Sequence, residues 1–179
     1  MLPTMDKKVE LASRLEDAFS LHGFAEPNVA TLKSHTQTTL KTLYKYFPSK
    51  EDMIVAALNN RHNRYISFLE QGCPPHIDAA LDHILQRLAH WLEHYAPRGC
   101  LSLQALASYP NNEQIAKAVN SHKQEVKGWF ESRLGDKSLA ERVFLIHEGM
   151  SSAWPTLGYL ALDAAKANVT ALLVSPSKV

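Results

Sequence analysis

Apolar residues along this chain recur at intervals of three and four, the spacing that gathers side chains on one face of an α-helix. Leu11, Leu15, Ala18 and Phe19 form the first such stripe. Asp6 or Thr4 can cap the helix that carries it, and His22-Gly23 can end it. Pro27-Asn28 restarts the chain, with Asn28 as cap of a short second helix that turns Val29 and Leu32 inward. After the turn Thr36-Gln37-Thr38, Thr39 caps a third helix in which Leu43 and Phe47 share a buried face. Pro48 stops it, because proline cannot continue a helix interior. Ser49 then caps a fourth helix, and Asp52 stands three residues on, where an acid completes a reciprocal cap.

That fourth helix runs from Lys50 to Glu70 on Met53, Ile54, Ala57 and Leu58, then on Tyr65, Phe68 and Leu69. Gly72-Cys73-Pro74-Pro75 breaks it. Asp78 opens a fifth helix whose broad face is Leu81, Ile84, Leu85, Leu88, Trp91, Leu92 and Tyr95. Pro97-Arg98-Gly99 ends it, and residues 100–108 read as a short sixth helix. The seventh follows Pro110-Asn111-Asn112 and carries Ile115, Val119, His122, Val126, Trp129 and Phe130 as far as Gly135. Ser138-x-x-Glu141 has the letters of a capping box for an eighth, with Leu139, Val143, Ile146, Met150 and Trp154. Pro155 and Gly158 mark its end, and a ninth, rich in Ala and Leu, covers Tyr159 to Val174. No segment sustains period-two alternation with β-branched residues, so the predicted fold class is all-α.

Composition changes little. With 179 residues, 45% hydrophobic and 21% charged, the chain can bury a real core. A formal charge of +1 excludes a globally basic protein but not a local patch. Between Lys33 and Lys50 the chain carries Lys33, Lys41, Lys45 and Lys50 and no acid. Taken alone, that charge fits the solvated face of an ordinary helix better than a phosphate-binding one. Cys73 and Cys100 are too few for a disulfide scaffold and are expected to be thiols. The opening MLPTMDKKVE lacks an apolar signal core, and no apolar run reaches membrane-spanning length, so a cytoplasmic location is expected. His83, His90 and His94 have no acid or cysteine at fixed spacing to complete a metal site. His147-Glu148 lacks the second histidine of a helical zinc protease, and there is neither a phosphate loop nor a nucleophile elbow. No catalytic residue, metal or cofactor is therefore expected.

The corner at residues 38–53 changes the reading. Gly23-Phe24 follows an amphipathic helix, and Leu32 lies in a short second helix. Thr42-Leu43-Tyr44, then Phe47, then Ser49-Lys50-Glu51 complete the string. At that spacing it resembles the DNA-binding part of the tetracycline-repressor (TetR) family of bacterial transcription regulators. The resemblance implies a helix-turn-helix head over residues 1–50, with the start of a linking helix at 50–70. It implies an effector-binding and dimerisation domain over residues 51–179. Tyr44 and Lys50 then hold phosphates with help from Thr42, while Lys45, Lys41 and Leu40 face base edges, and Thr39 at the head of the helix is counted among the DNA-contacting residues. Leu40 either touches a thymine methyl or folds back onto Leu43, and Tyr46 either reaches a phosphate or lies on the flank. Thr31 and Lys33 lie close enough to touch backbone. Two departures stand out: Gln37-Thr38 replaces the usual Gly then Val, and Lys33 and His35 stand where small residues are usual. A non-glycine residue in a left-handed corner is disfavoured, so a strained or reshaped turn is expected.

For the remainder, the resemblance implies a small-molecule effector site and a homodimer. Trp91, Tyr95, Leu103, Trp129, Phe130 and Met150 either line a cavity or fill a core. Val143, Ile146, Met150, Trp154, Ala164, Ala167, Ala171 and Leu172 either pack within the chain or pair with a second copy as a four-helix bundle. The expected function is a homodimeric, ligand-responsive DNA-binding regulator. It is expected to act as a repressor released from a pseudo-palindromic operator by its effector. The alternative is a helical, dimeric ligand- or partner-binding protein that no longer binds DNA.

Overall fold

The computed structural model describes residues 6–25 and 27–174. Among these residues it has nine helices and no strand: α1 (Lys7–His22), α2 (Val29–Thr36), α3 (Leu40–Tyr46), α4 (Lys50–Glu70), α5 (Ile77–Tyr95), α6 (Leu101–Ser108), α7 (Glu113–Leu134), α8 (Lys137–Leu157) and α9 (Tyr159–Val174). The all-α expectation holds. The helices gather into two compact units. One contains the described residues up to Arg64 together with Leu101–His122, and the other contains Tyr65–Cys100 and the chain from Lys123 onward. The divisions fall inside α4 and inside α7, so each of these helices contributes to both units.

Local chemistry explains where the first helices begin and stop. Asp6 Oδ1 accepts the Lys8 N–H at 3.0 Å and caps α1; Thr4 lies outside the described residues. Gly23, at φ 75°, ends α1 by donating its N–H to Phe19 O. Asn28 Oδ1 accepts the Thr31 N–H at 2.9 Å and opens α2. Leu11, Leu15, Phe19, Phe24, Leu32, Leu43, Phe47, Met53, Ile54 and Leu58 then form one core, which Leu101, Ala105, Ile115 and Val119 complete. Each such side chain contributes about 1.5–3 kcal/mol on burial. That is why three short helices, marginal alone, are held. In the second unit the core is built on α5 (Leu81, Ile84, Leu85, Leu88, Trp91 and Leu92) with Phe130, Val143, Met150, Trp154, Leu162, Ala165 and Val169.

Three boundaries differ from the sequence reading. His76, with no side-chain cap bond, precedes α5, which starts at Ile77 ahead of Asp78. Asp136 rather than Ser138 caps α8, its Oδ1 accepting the Leu139 N–H at 3.0 Å. Gly135, at φ 67°, has already turned the chain, so Asp136 is the extended residue in the capping position. Pro155 lies inside α8, which runs on to Leu157 before Gly158 ends it. A proline removes one backbone donor, and the packed helix absorbs that loss without stopping.

Candidate nucleic-acid interface

Short-range bonds define α3. Thr39 Oγ1 accepts the Thr42 N–H at 3.1 Å, and the two hydroxyls lie 2.9 Å apart. Leu43 is fully buried and Phe47 nearly so, which fixes the inner face. The outer face then follows from the helical period: Leu40 is 40% exposed, Tyr44 is 44% exposed, and Lys41 and Lys45 are exposed beside them. Leu40 therefore points away from the core and does not fold back into it. Phe47 closes the helix with its N–H on Leu43 O at 2.8 Å. The Lys45 ammonium sits 5.6 Å from the centre of the Tyr46 ring, on the flank of this face.

The corner before α3 does adopt a left-handed residue. Gln37 has φ 52° and ψ 43° and is the one non-glycine residue with positive φ among the described residues. Its N–H returns to Ser34 O at 3.2 Å, and the Thr38 N–H reaches Lys33 O at 3.4 Å. The buried Thr36 hydroxyl donates to Leu32 O at 2.8 Å. Arg14 of α1 reaches the same corner, a contact that no local motif in the sequence announces.

At the head of α4 the cap is reciprocal. The Ser49 N–H and hydroxyl donate to Asp52 Oδ2 at 3.0 and 2.7 Å, and the Asp52 N–H donates to Ser49 Oγ at 3.0 Å. The Ser49 hydroxyl, followed by the Gln114 amide at 2.7 Å, holds the Asp52 carboxyl below its ordinary pKa. Half-buried Lys50, the first residue of α4, places its ammonium 5.8 Å from the centre of the Tyr109 ring. Thr31 is engaged in capping α2, its hydroxyl donating to Asn28 Oδ1 at 3.2 Å, whereas Lys33 is exposed. Tyr109 and Gln114 escaped the sequence reading because they come from α6–α7, far along the chain.

In the second unit the proposed effector residues do not converge. Trp91, Phe130 and Met150 are buried in its core, and Trp129 packs against that core with its Nε1 donating to Glu70 at 2.9 Å. Tyr95 is 42% exposed. Leu103 is also exposed and belongs to the first unit. A polar chain that sequence reasoning missed does converge there. The Tyr65 hydroxyl meets His147 Nε2, and His147 Nδ1 lies 3.1 Å from Glu148 Oε1. Lys123 donates to Glu148 Oε2 at 2.6 Å and to Cys100 Sγ at 3.6 Å. Burial alone would raise the Glu148 pKa, but the His147 bond and the His147 and Lys123 charges outweigh it and hold it at about 2. Burial pushes the Tyr65 hydroxyl well up, with the Glu148 charge adding to it. Burial likewise disfavours charge on Lys123, yet Cys100 and Glu148 leave its pKa raised.

The residues expected to pair two copies divide in the same way. Val143, Met150 and Trp154 are buried in the chain's own core, because they lie on the inner face of α8. Ala164, Ala167 and Ala171 are exposed, and Ile146 and Leu172 are half-exposed. Leu160, Ala164, Ala167, Ala171 and Val174 make a continuous outward stripe on α9 at spacings of three and four. Leu145 and Leu157 of α8 are also exposed. Leu145 and Ile146 join Leu172 along a groove of about 490 Å³ between α8 and α9.

No protein-family model and no curated protein sequence matches the chain. Solved structures do match. A TetR-family transcriptional regulator from Streptomyces coelicolor superposes with a TM-score of 0.80 at 21% identity, over 92% of this chain and 95% of that one. The reduced form of NemR from E. coli gives 0.77 at 19% identity, over 96% and 100%. The multidrug-binding protein EbrR, in complex with proflavin, gives 0.68 at 15% identity, over 93% and 99%. At such identities the agreement is one of backbone path, and it runs through almost the whole of each chain. The chain has the all-α fold of the TetR-family transcriptional regulators.

Proposed function

We infer that the protein is a homodimeric DNA-binding transcriptional regulator that responds to a small molecule and acts as a repressor. The observation that carries this reading is the outer face of α3. A seven-residue helix presents Leu40, Lys41, Tyr44 and Lys45 to solvent, with no acid in the segment from Lys33 to Lys50. Such a helix fits a major groove, with lysines directed at guanine O6 and N7 and Tyr44, Thr42 and Lys50 at flanking phosphates. A two-fold dimer through α8 and α9 places two such helices on a pseudo-palindromic operator. The outward stripe on α9 supports that pairing.

The second unit is the proposed seat of the effector, by analogy with the proflavin held by EbrR. An effector alters DNA binding only if it binds the DNA-competent and DNA-incompetent conformations with different affinity. The continuous backbones of α4 and α7 supply the proposed path for that difference. Loss of DNA binding has less to recommend it, since Gln37 adopts the left-handed conformation that a glycine would supply.

Selection from randomised duplex DNA tests the reading directly. A palindromic consensus is expected; failure to enrich any sequence refutes it. Lys50→Ala should then weaken binding to all sequences alike and lower the slope of log K against log salt by about one. Lys45→Ala should shift preference at one position of each half-site, and a uniform loss would remove it from base reading.

A further inference from the structure

The proposed reading helix is entered through a corner that its own residues do not favour. L-residues with side chains avoid the left-handed region, yet Gln37 occupies it. The Gln37 and Thr38 N–H groups close the corner back onto α2, and a contact from another helix adds to what selects this conformation. Arg14, half-exposed on α1, is placed to do so. Its Nη1 donates to Thr36 O at 2.8 Å and lies 3.5 Å from Gln37 Oε1. Thr36 is the last residue of α2, and its carbonyl is one of those a helix leaves without an internal partner. From the other edge of the same guanidinium, Nη2 pairs with Glu10 at 2.7 Å, one turn earlier on α1. Glu10 is in turn held by Lys7 at 3.0 Å. The planar fork of an arginine spans both sets of partners at once, which an ammonium cannot do.

We propose that Arg14 is a positioning residue for DNA reading. Its guanidinium ties the α2–α3 corner to α1 and thereby sets the angle at which Leu40, Lys41 and Lys45 meet the bases. This rests on the reading of α3 as the DNA-contacting helix. Arg14 touches no base in this account and acts through the carbonyl of Thr36 and the side chain of Gln37. Glu10 neutralises the guanidinium, which sets Arg14 apart from the exposed lysines of α3.

The test uses the full chain with Arg14→Ala, Arg14→Lys and Gln37→Gly, and with Arg14→Ala combined with Gln37→Gly. Two readouts are taken: amide hydrogen exchange at residues 36–39 by NMR, and the ratio of selected-site to random-sequence affinity. Arg14→Ala should speed exchange at Gln37 and Thr38 by about tenfold, the loss of one charge-assisted bond. Amides in the middle of α1 should stay unchanged. The affinity ratio should fall by a similar factor of about ten, with the salt slope held. Arg14→Lys should recover only part of either effect. Gln37→Gly removes the conformational penalty, so in the Arg14→Ala background it should restore both readouts.

Unchanged exchange at the corner overturns the proposal. So does a loss shared equally by all DNA with a slope lower by about one, which would make Arg14 a phosphate contact. If the unaltered protein enriches no sequence, the DNA-binding reading fails, and the exchange measurement still decides whether Arg14 holds the corner.

Discussion

Glu16 is 1% exposed and accepts from Asn60 Nδ2 at 2.7 Å, Arg61 Nη1 at 3.2 Å and Arg64 Nη1 at 2.7 Å. It joins α1 to α4 within the first unit. Glu16→Gln keeps the shape and removes the charge. The Asn60 amide can turn over to accept from the new donor, so that bond survives. The arginines cannot adapt, because they have no acceptor. Arg61, with a side chain only 10% exposed, keeps its other contacts but loses the Glu16 charge, a change of at most about 3–5 kcal/mol. Arg64, 40% exposed, has water to replace its partner and adds less than about 1 kcal/mol. Retained neutral bonds offset part of this, so a loss of roughly 3 kcal/mol is expected. Urea unfolding followed by far-UV circular dichroism measures it. Tryptophan is the wrong probe, because Trp91, Trp129 and Trp154 all lie in the second unit. In a double-mutant cycle with Arg61→Met, a coupling of about 2 kcal/mol is expected. A loss below about 1 kcal/mol, or no coupling, would refute the claim that the Glu16 charge ties α1 to α4.

Three further changes separate the other forces. Ser49→Ala removes both the acceptor for the Asp52 N–H and one donor to its carboxylate, so the first unit should lose about 1–2 kcal/mol; a change within 0.3 kcal/mol would mean that water replaces the cap. Glu148, depressed to about 2, contributes stability that is fully present above its unfolded pKa of about 4.3 and is lost as pH falls towards 2. Glu148→Gln should therefore flatten the acid limb of the stability profile between those values, and an unchanged limb would exclude Glu148 as its source. Leu160→Glu alters a residue that is 67% exposed, so folding should change by less than about 0.5 kcal/mol. Across a two-fold axis the substitution counts twice, and sedimentation equilibrium should show the dimer dissociating about a hundredfold more readily; an unaltered dimer would place the interface elsewhere.

How much of this was legible in the sequence depends on the range of the physics involved. Caps and corners act within three or four residues, so Asn28, Thr39, Ser49 and Asp52 could be read from letters alone, and each makes the bond its type suggests. The inner face of α3 was equally legible, since Leu43 and Phe47 are one helical turn apart. At α8 the same local rule misled: two capping letters competed within three residues, and the glycine turn just ahead decided for Asp136. Apolar spacing identifies an inner face but does not say which apolar residues are left outside. Val143, Met150 and Trp154 therefore stood among the interface candidates on the same footing as the exposed Leu160, while Leu145 went unremarked.

Contacts between distant segments left no mark that a single sequence discloses. Arg14 is twenty-two residues from the carbonyl it holds, and the Tyr65 hydroxyl is eighty-two residues from His147. Both are ordinary polar letters on amphipathic helices until the fold brings the partner. The Gln37 corner shows why this matters. Local rules marked Gln37 as a misfit, and on those rules alone the turn was expected to be either strained or reshaped. The corner instead keeps the left-handed form, with an arginine from another helix bonded to it. A local preference of one or two kcal/mol is comparable to a single charge-assisted hydrogen bond, so one such contact is enough to reverse it. A glycine can therefore be absent from a turn without the turn changing, provided another element supplies the missing preference.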